Sequence, residues 1–193
     1  MAESVPRLAL SHGQVLWCLA GGKEPTPPLP DQVRYLRQLD IPFAPHELGK
    51  GRGVRLSYGF YQLIELGIAY EGLRRRIEPR FLKRLAEQRT QFREVYRAAY
   101  LELAAHPQIF DGNPRERVLV NDERVVRLHD KYSENPGEIA FAMAFDPKPG
   151  RKPWDLVEEI GGEEHDVIGL KLLMVYLLRL VKHAPVTRPG PKG

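Results

Sequence analysis

The sequence contains very little cysteine, and this limits the kinds of site that it can form. Cys18 is the only cysteine among the 193 residues, so the chain has neither a disulfide framework nor a cysteine-rich metal site. The six histidines show no HExxH motif and no paired spacing of metal ligands. We therefore expect no metal ion and no other cofactor.

Long apolar runs are also scarce. The most apolar stretch, 167–181, is interrupted by Lys171 and Arg179 and is too short to span a bilayer. The N-terminal residues lack the basic region and the long apolar segment of a secretory signal. We expect a cytoplasmic protein with no membrane partner.

Catalytic motifs are missing as well. No serine lies in a nucleophile elbow, and the glycine-spaced "GKGRGVRLS" lacks the GxxxxGK[ST] spacing of a nucleotide-binding loop. Asp122, Glu123, His129 and Asp130 fit a polar hairpin turn, and His165 in "EEIGGEEHD" fits an exposed acidic loop. The sequence offers no positive evidence for catalysis, so we expect that the protein is not an enzyme.

Positive charge is present and is concentrated in one part of the chain. The formal net charge is +4, and residues 31–97 contain 14 Lys and Arg against 8 Asp and Glu. The remaining residues contain 15 Lys and Arg against 17 Asp and Glu. Clustered positive charge favours an anionic partner such as nucleic acid.

The first 41 residues predict two short helices joined by a loop. Ser11 is suited to cap the first helix, and Gly21 and Gly22 to end it. The loop "KEPTPPLP" is rich in proline, which removes amide donors. Pro30 then opens an amphipathic helix in "DQVRYLRQLDI", whose polar side carries arginines.

The stretch "GKGRGVRLSYGFYQLIELGIAYEGLRRR" changes character along its length. Its glycine-spaced basic beginning predicts a basic hairpin or wing, and its apolar continuation predicts a helix over 59–75 with Ser57 as the cap. Arg74, Arg75 and Arg76 are suited to the C-terminus of that helix, where cations interact favourably with the helix dipole.

The remaining chain predicts one long helix and a smaller mixed region. Apolar residues spaced by three and four predict a helix from Pro79 to about Ala105. Beyond it, "RERVLVNDERVVRLHD" predicts two strands around a turn, and "NPGEIAFAMAFDP" fits either a strand or a helix. Residues 154–160 predict a helical turn or two. Residues 166–183 predict an apolar helix that either lies in the core or forms a partner surface.

The order of these elements resembles that of the MerR-type transcriptional regulators. The resemblance rests on "YLRQLDIPFAP" and "GRGVRLSYGFYQLIELGIAYEGLRRRIEPRFLKRL", and it covers about residues 11–100. It implies a winged helix-turn-helix whose second helix enters the major groove of double-stranded DNA. Carried over to this sequence, it implies DNA contacts by Arg34, Tyr35 and Arg37 on that helix, by Lys50, Arg52 and Arg55 on the wing, and by Tyr58 at the junction with the third helix.

These residue types suit the implied chemistry. Lysine and arginine neutralise phosphates, and arginine also reads guanine through two hydrogen bonds. Glycines at 49, 51 and 53 would let the backbone approach the duplex closely. The alternative for Arg34 and Arg37 is an ordinary solvated helix face.

The resemblance also implies a homodimer, because the long helix of this family pairs with a second copy. Phe92, Tyr96 and Leu103 would then be dimer contacts. Packing within the chain is the alternative for the two aromatic residues. Two features depart from the family. The loop "GGKEPTPPLP" is longer than the usual tight turn, and the cysteine cluster of the metal-sensing members is missing.

We therefore expect a mainly α fold with small β elements. Residues 8–76 would form the winged helix-turn-helix, 77–106 the long connecting helix, 107–186 a C-terminal α+β module, and 187–193 a flexible tail. The preferred function is that of a bacterial DNA-binding transcriptional regulator. The alternative is a protein-interaction adaptor that uses the apolar C-terminal helix and "EEIGGEEHD", and the C-terminal module is a candidate protein-binding region in either case.

Overall fold

The computed structural model describes residues 4–48, 56–113, 124–127, 141–143 and 167–185, and the fold is mainly α-helical, as expected. The helices are α1 (His12–Leu19), α2 (Leu29–Gln38), α3 (Phe60–Arg74), α4 (Pro79–Leu82), α5 (Arg84–Glu87), α6 (Arg89–Ala104), a 3-10 turn (Pro107–Phe110) and α7 (Leu170–His183). The strands are β1 (Arg124–Arg127), β2 (Phe141–Met143) and β3 (Val167–Gly169).

The predicted limits of α1 are confirmed. The Gln14 amide donates to Ser11 Oγ at 3.3 Å, and the Ser11 amide donates to Gln14 Oε1 at 2.9 Å, which forms a capping box. After the helix, Gly21 and Gly22 adopt φ angles of 72° and 75°. These are left-handed conformations that glycine adopts without a steric penalty.

The amphipathic character of α2 is also confirmed. Leu29, Val33 and Leu36 are buried on one side of the helix, which packs on α3. Pro30 lies in the first turn, where its missing amide removes no helical hydrogen bond. The opposite side of α2 faces solvent.

The beginning of α3 differs from the prediction. Gly59 is the residue that precedes the helix, so the predicted cap by Ser57 is wrong. Just before it, Tyr58 and Leu10 form an antiparallel bridge with two backbone hydrogen bonds of 2.9 and 3.0 Å. This bridge joins the residues that precede the N-terminus of α1 to those that precede the N-terminus of α3.

The prediction of one long helix from Pro79 to about Ala105 is wrong. The chain forms α4, α5 and α6, with a break at Gln88, where φ is −110° and ψ is 27°. With the chain turned at Gln88, Leu85 before the break and Phe92 after it are both fully buried. The 16-residue α6 is therefore the longest part of this region.

The described strands form an antiparallel sheet in the order β2-β1-β3. Val125 lies opposite Ala142 of β2, and Val126 lies opposite Ile168 of β3. The strand prediction at β1 is confirmed, and the open choice at 141–143 is decided in favour of a strand. The predicted partner strand at 115–120 and the helical turn at 154–160 lie outside the described residues.

Helix α7 packs into the same hydrophobic core as α1, α2 and α3. Because 167–169 form β3, α7 begins at Leu170, later than predicted, and it packs against α1, α3 and α6. Its buried apolar residues belong to the same hydrophobic cluster as those of α1, α2 and α3. Within the described part of the chain, no helix is long and apolar enough to cross a membrane.

Candidate nucleic-acid interface

The solvent-facing side of α2 carries the three residues that the resemblance assigned to a recognition helix. Arg34, Tyr35 and Arg37 are all exposed, and Gln38 lies exposed beside them. Arg34 is 3.2 Å from Asp31, but both side chains are more than 70% exposed. An exposed pair of this kind is weak, so Arg34 remains accessible to an anion.

A cleft lies along the C-terminal half of this helix. It has a volume of about 280 Å³ and is lined by Arg34, Arg37, Gln38, Ile41, Phe43 and Leu48. Ile41 and Phe43 are buried and form an apolar floor, whereas the arginines and Gln38 supply donors. Such a surface combines groups that bind phosphate or base edges with an apolar contact area.

Arg37 also lies near a neutral polar pair beneath α2. His12 Nδ1 is 3.0 Å from the Tyr58 hydroxyl, and the two rings are stacked with centroids 6.0 Å apart. Burial and the charge of Arg37 lower the pKa of His12, so its neutral form is favoured at pH 7. Burial raises the pKa of Tyr58 against the opposing charge of Arg37.

Tyr58, which the resemblance placed in contact with DNA, lies inside the protein. Its side chain is fully buried, with an edge-on contact to Phe43 at a centroid distance of 4.8 Å. A side chain covered in this way has no exposed surface with which to contact a duplex. The predicted wing residues Lys50, Arg52 and Arg55 lie outside the described residues.

The three residues predicted as dimer contacts lie in the core of their own chain. Phe92 and Tyr96 are fully buried, and Leu103 is almost so. Tyr96 and Phe92 also contact each other, with ring centroids 5.9 Å apart. The apolar side of α6 therefore packs within the chain, which is the alternative that the sequence left open for the aromatic residues. The exposed positions of α6 include Gln91, Glu94 and Arg97, which are polar.

Sequence reasoning missed a buried ion pair between α3 and α6. Arg89 Nη2 lies 2.8 Å from Glu65 Oε1, with side-chain exposures of 12% and 0%. The same guanidinium donates to the backbone carbonyl of Asp40, just after α2. A charged residue inside the apolar run "LIELGIA" was the signal that could have predicted a buried partner.

A second ion pair continues this network towards the loop after α2. Arg93 Nη2 lies 3.0 Å from Glu47 Oε1, and Glu47 Oε2 accepts from the Ala44 amide at 2.8 Å. Burial opposes ionisation of Glu47, but the Ala44 amide and the Arg93 guanidinium outweigh it and lower the pKa. Burial raises the pKa of Glu65 to about 7, against the opposing influence of Arg89.

The proline-rich loop between α1 and α2 forms one wall of a wide surface groove. The groove has a volume of about 930 Å³, and its lining includes Pro27, Pro28, Tyr70, Arg74 and Tyr176. Arg74 ends α3 and lies 2.6 Å from Glu71, one turn earlier. This arrangement fits the expectation that the cations of "RRR" are suited to a helix end.

The comparisons with known proteins found no relative of this chain. No family model matches the chain, and neither the curated proteins nor the solved structures gave a significant similarity. Among the described residues, no group of three or more His, Cys, Asp or Glu is placed to hold a metal ion. The functional proposal therefore depends on the geometry around α2.

Proposed function

We propose that the protein is a DNA-binding transcriptional regulator that reads the major groove with α2. The observation that carries the proposal is the exposed face of this helix. Arg34, Tyr35 and Arg37 point outward together, while Val33 and Leu36 anchor the opposite side in the core. Proteins that read the major groove use a helix of this kind, with one side buried in the core and the other side exposing polar and basic side chains.

The dimensions of α2 agree with this role. Its 10 residues give a length of about 15 Å, and the major groove of B-DNA is about 12 Å wide and accepts one α-helix. Arg34 and Arg37 have the length and the paired donors to reach guanine or the flanking phosphates. Tyr35 lies between them and can contact sugar or phosphate.

The described residues that flank segment 49–55 lie close to Arg37. Leu48, which precedes the segment, lines the cleft together with Arg37. Tyr58 follows the segment by three residues, and the charge of Arg37 acts to lower the pKa of Tyr58 against the larger effect of burial. Lys50, Arg52 and Arg55 stand between Leu48 and Tyr58 in the sequence, and we propose that they add phosphate contacts as a wing.

We further propose that two copies bind one duplex. Half-sites that are related by two-fold symmetry are the usual targets of helix-turn-helix proteins. Because the apolar side of α6 is used inside the chain, the dimer must use another surface. Sedimentation analysis of the protein with and without a bound duplex tests this point, and a ratio of one chain to one duplex would contradict it.

The adaptor alternative has less support. It assigned the apolar C-terminal helix to partner binding, but the apolar residues of α7 are largely buried in the common core. Tyr176 is the one large apolar side chain of this helix that is exposed in the described part of the chain. The acidic segment "EEIGGEEHD" lies outside the described residues.

Fluorescence anisotropy with a labelled duplex of about 30 base pairs tests the proposed function. We expect binding at low salt, with log K falling linearly with log salt by about 0.9 for every phosphate neutralised. Genome-wide capture of DNA with the tagged protein would then identify the preferred sites. No binding at about 50 mM salt would refute the proposal.

A further inference from the structure

We propose that Arg89 and Arg93 of α6 act as positioning residues that fix α2 for base reading. This inference rests on the proposed DNA-binding function of α2. Neither arginine belongs to the proposed recognition surface. Both reach from α6 to the segment 40–47, which connects the recognition helix to the basic segment. We call these two arginines and their acceptors the α6 clamp.

The first half of the α6 clamp holds the end of α2. Arg89 donates through Nε to both carboxylate oxygens of Glu65 at 3.1 Å, and through Nη2 to Glu65 Oε1 at 2.8 Å. Its Nη2 also donates to the carbonyl oxygen of Asp40. Asp40 has a φ of 59°, and its amide donates to the carbonyl of Arg37 at 3.2 Å. One guanidinium thus joins α3 to the turn that contains Arg37.

The second half holds the loop that follows. Arg93 donates to both oxygens of Glu47 at 3.0 and 3.3 Å. Glu47 accepts in turn from the Ala44 amide at 2.8 Å and from the Gln62 side chain at 3.3 Å. The loop after α2 is therefore fixed to α6 and α3 by side chains and not by regular secondary structure.

This arrangement suits positioning better than general stabilisation. A buried ion pair adds little net stability compared with apolar residues of the same size, because both charges lose their hydration. Its directional hydrogen bonds do define one geometry. Base contacts require that geometry to within a fraction of an ångström, whereas the attraction of cations to the phosphate backbone tolerates small displacements.

Arg89→Lys is the variant that tests the α6 clamp. Lysine keeps the positive charge beside Glu65 but lacks the planar fork that reaches Glu65 and Asp40 together. The matched control is Lys171→Met. Lys171 is only 5% exposed and lies 2.8 Å from Glu102, so this change breaks another ion pair of α6. That pair joins α6 to α7, at the opposite end of α6 from Arg89.

The first measurement compares specific with non-specific DNA binding of the full chain. A preferred duplex is selected from a random library, and its affinity is compared with that of a scrambled duplex at the same salt concentration. We expect Arg89→Lys to reduce the specific-to-nonspecific ratio by about tenfold with an unchanged salt slope. Lys171→Met should leave the ratio within about twofold even if it lowers the melting temperature. An unchanged ratio in Arg89→Lys would overturn the inference.

The second measurement does not depend on DNA. Amide hydrogen exchange is followed at Ile41, which donates to the carbonyl of Leu36 at 3.1 Å, and at Ala44. We expect Arg89→Lys to accelerate exchange at both amides by about tenfold and Lys171→Met to leave them unchanged. If exchange accelerates but the wild-type protein binds no DNA, the proposed function fails and the α6 clamp stands as a purely structural device. If exchange is unchanged, the α6 clamp itself is refuted.

Discussion

Gly67 of α3 and Leu177 of α7 lie in direct contact across the core. A Cβ atom placed on Gly67 would come within 2.6 Å of Leu177 Cδ1 and within 3.6 Å of Leu173 Cδ2. Leu177 is almost fully buried, so it has little room to move away. The contact fixes α7 against α3, the helix on which α2 packs.

Gly67→Ala is therefore expected to destabilise the protein. Alanine is favoured over glycine within a helix by up to about 1 kcal/mol, but overpacking a filled core costs about 1–3 kcal/mol. We expect a net loss of ~1 kcal/mol in the free energy of unfolding, measured by urea denaturation. The double variant Gly67→Ala/Leu177→Ala should be more stable than the sum of the single effects predicts, because the smaller side chain removes the clash. Strict additivity would show that the contact is not tight.

Arg34→Ala and Arg37→Ala should each weaken DNA binding more than a control substitution outside α2. The control is Arg80→Ala, since Arg80 resembles Arg34 in being about 70% exposed and paired with a nearby carboxylate. We expect the α2 substitutions Arg34→Ala and Arg37→Ala each to cost about 1–3 kcal/mol at particular base pairs. Arg80→Ala should change the affinity only slightly. Equal losses for all three variants, measured by anisotropy, would point to general electrostatics without reading by α2.

The wing prediction is tested by the salt dependence of binding. Arg52→Ala and Arg55→Ala should weaken binding to every duplex by a similar factor, because phosphate contacts carry no sequence information. Each lost contact should also reduce the slope of log K against log salt by about 1. Anisotropy titrations at several salt concentrations measure both quantities. A change of sequence preference with an unaltered slope would instead assign these arginines to base reading.

His12 should make stability depend on pH in the mildly acidic range. Burial and the charge of Arg37 lower its pKa in the folded state below the ordinary histidine value of 6.5. The unfolded chain therefore binds the proton more readily, and the contribution of His12 is present above pH 6.5 and is lost as the pH falls through the folded pKa. We expect His12→Gln to reduce the rise in melting temperature as the pH is increased towards 6.5. A profile identical to that of the wild type would exclude this role.

Glu65 should give a pH dependence of the opposite sign. Burial raises its folded pKa from 4.5 to about 7, so the folded state holds this proton more tightly than the unfolded chain does. Its contribution to stability is complete below pH 4.5 and is lost as the pH rises through about 7. In Glu65→Gln the melting temperature is expected to be lower, since Arg89 loses its charged partner, but that decline with pH should disappear. A decline that persists in the variant would assign it to another group.

Local patterns predicted the ends and faces of several elements correctly. Ser11 and Gln14 form the capping box of α1, and Val33 and Leu36 mark the buried side of α2. These features depend on residues within one or two helical turns, where periodicity and capping chemistry act directly. The exposure of Arg34 and Arg37 follows from the same periodicity. The choice of these residues as a candidate site came from the resemblance, and periodicity accounts only for their exposure.

Contacts between distant parts of the chain were not predicted. Tyr58 pairs with His12 across 46 positions, and Arg89 pairs with Glu65 across 24. No local pattern contains either pair. The apolar side of α6 illustrates the same limit, since Phe92 and Tyr96 show that one side of a helix is buried without showing what covers it.

The sequence by itself determined that α1 is capped, that α2 is amphipathic and that positive charge is concentrated around α2. Each of these properties depends on residues that are close together in the sequence. The tertiary structure decided that Tyr58 is covered and that α6 is turned inward. It also placed α7 in the common core, against Gly67. Those outcomes depend on which surfaces pack together when apolar area is removed from water. That packing involves residues that are far apart in the sequence.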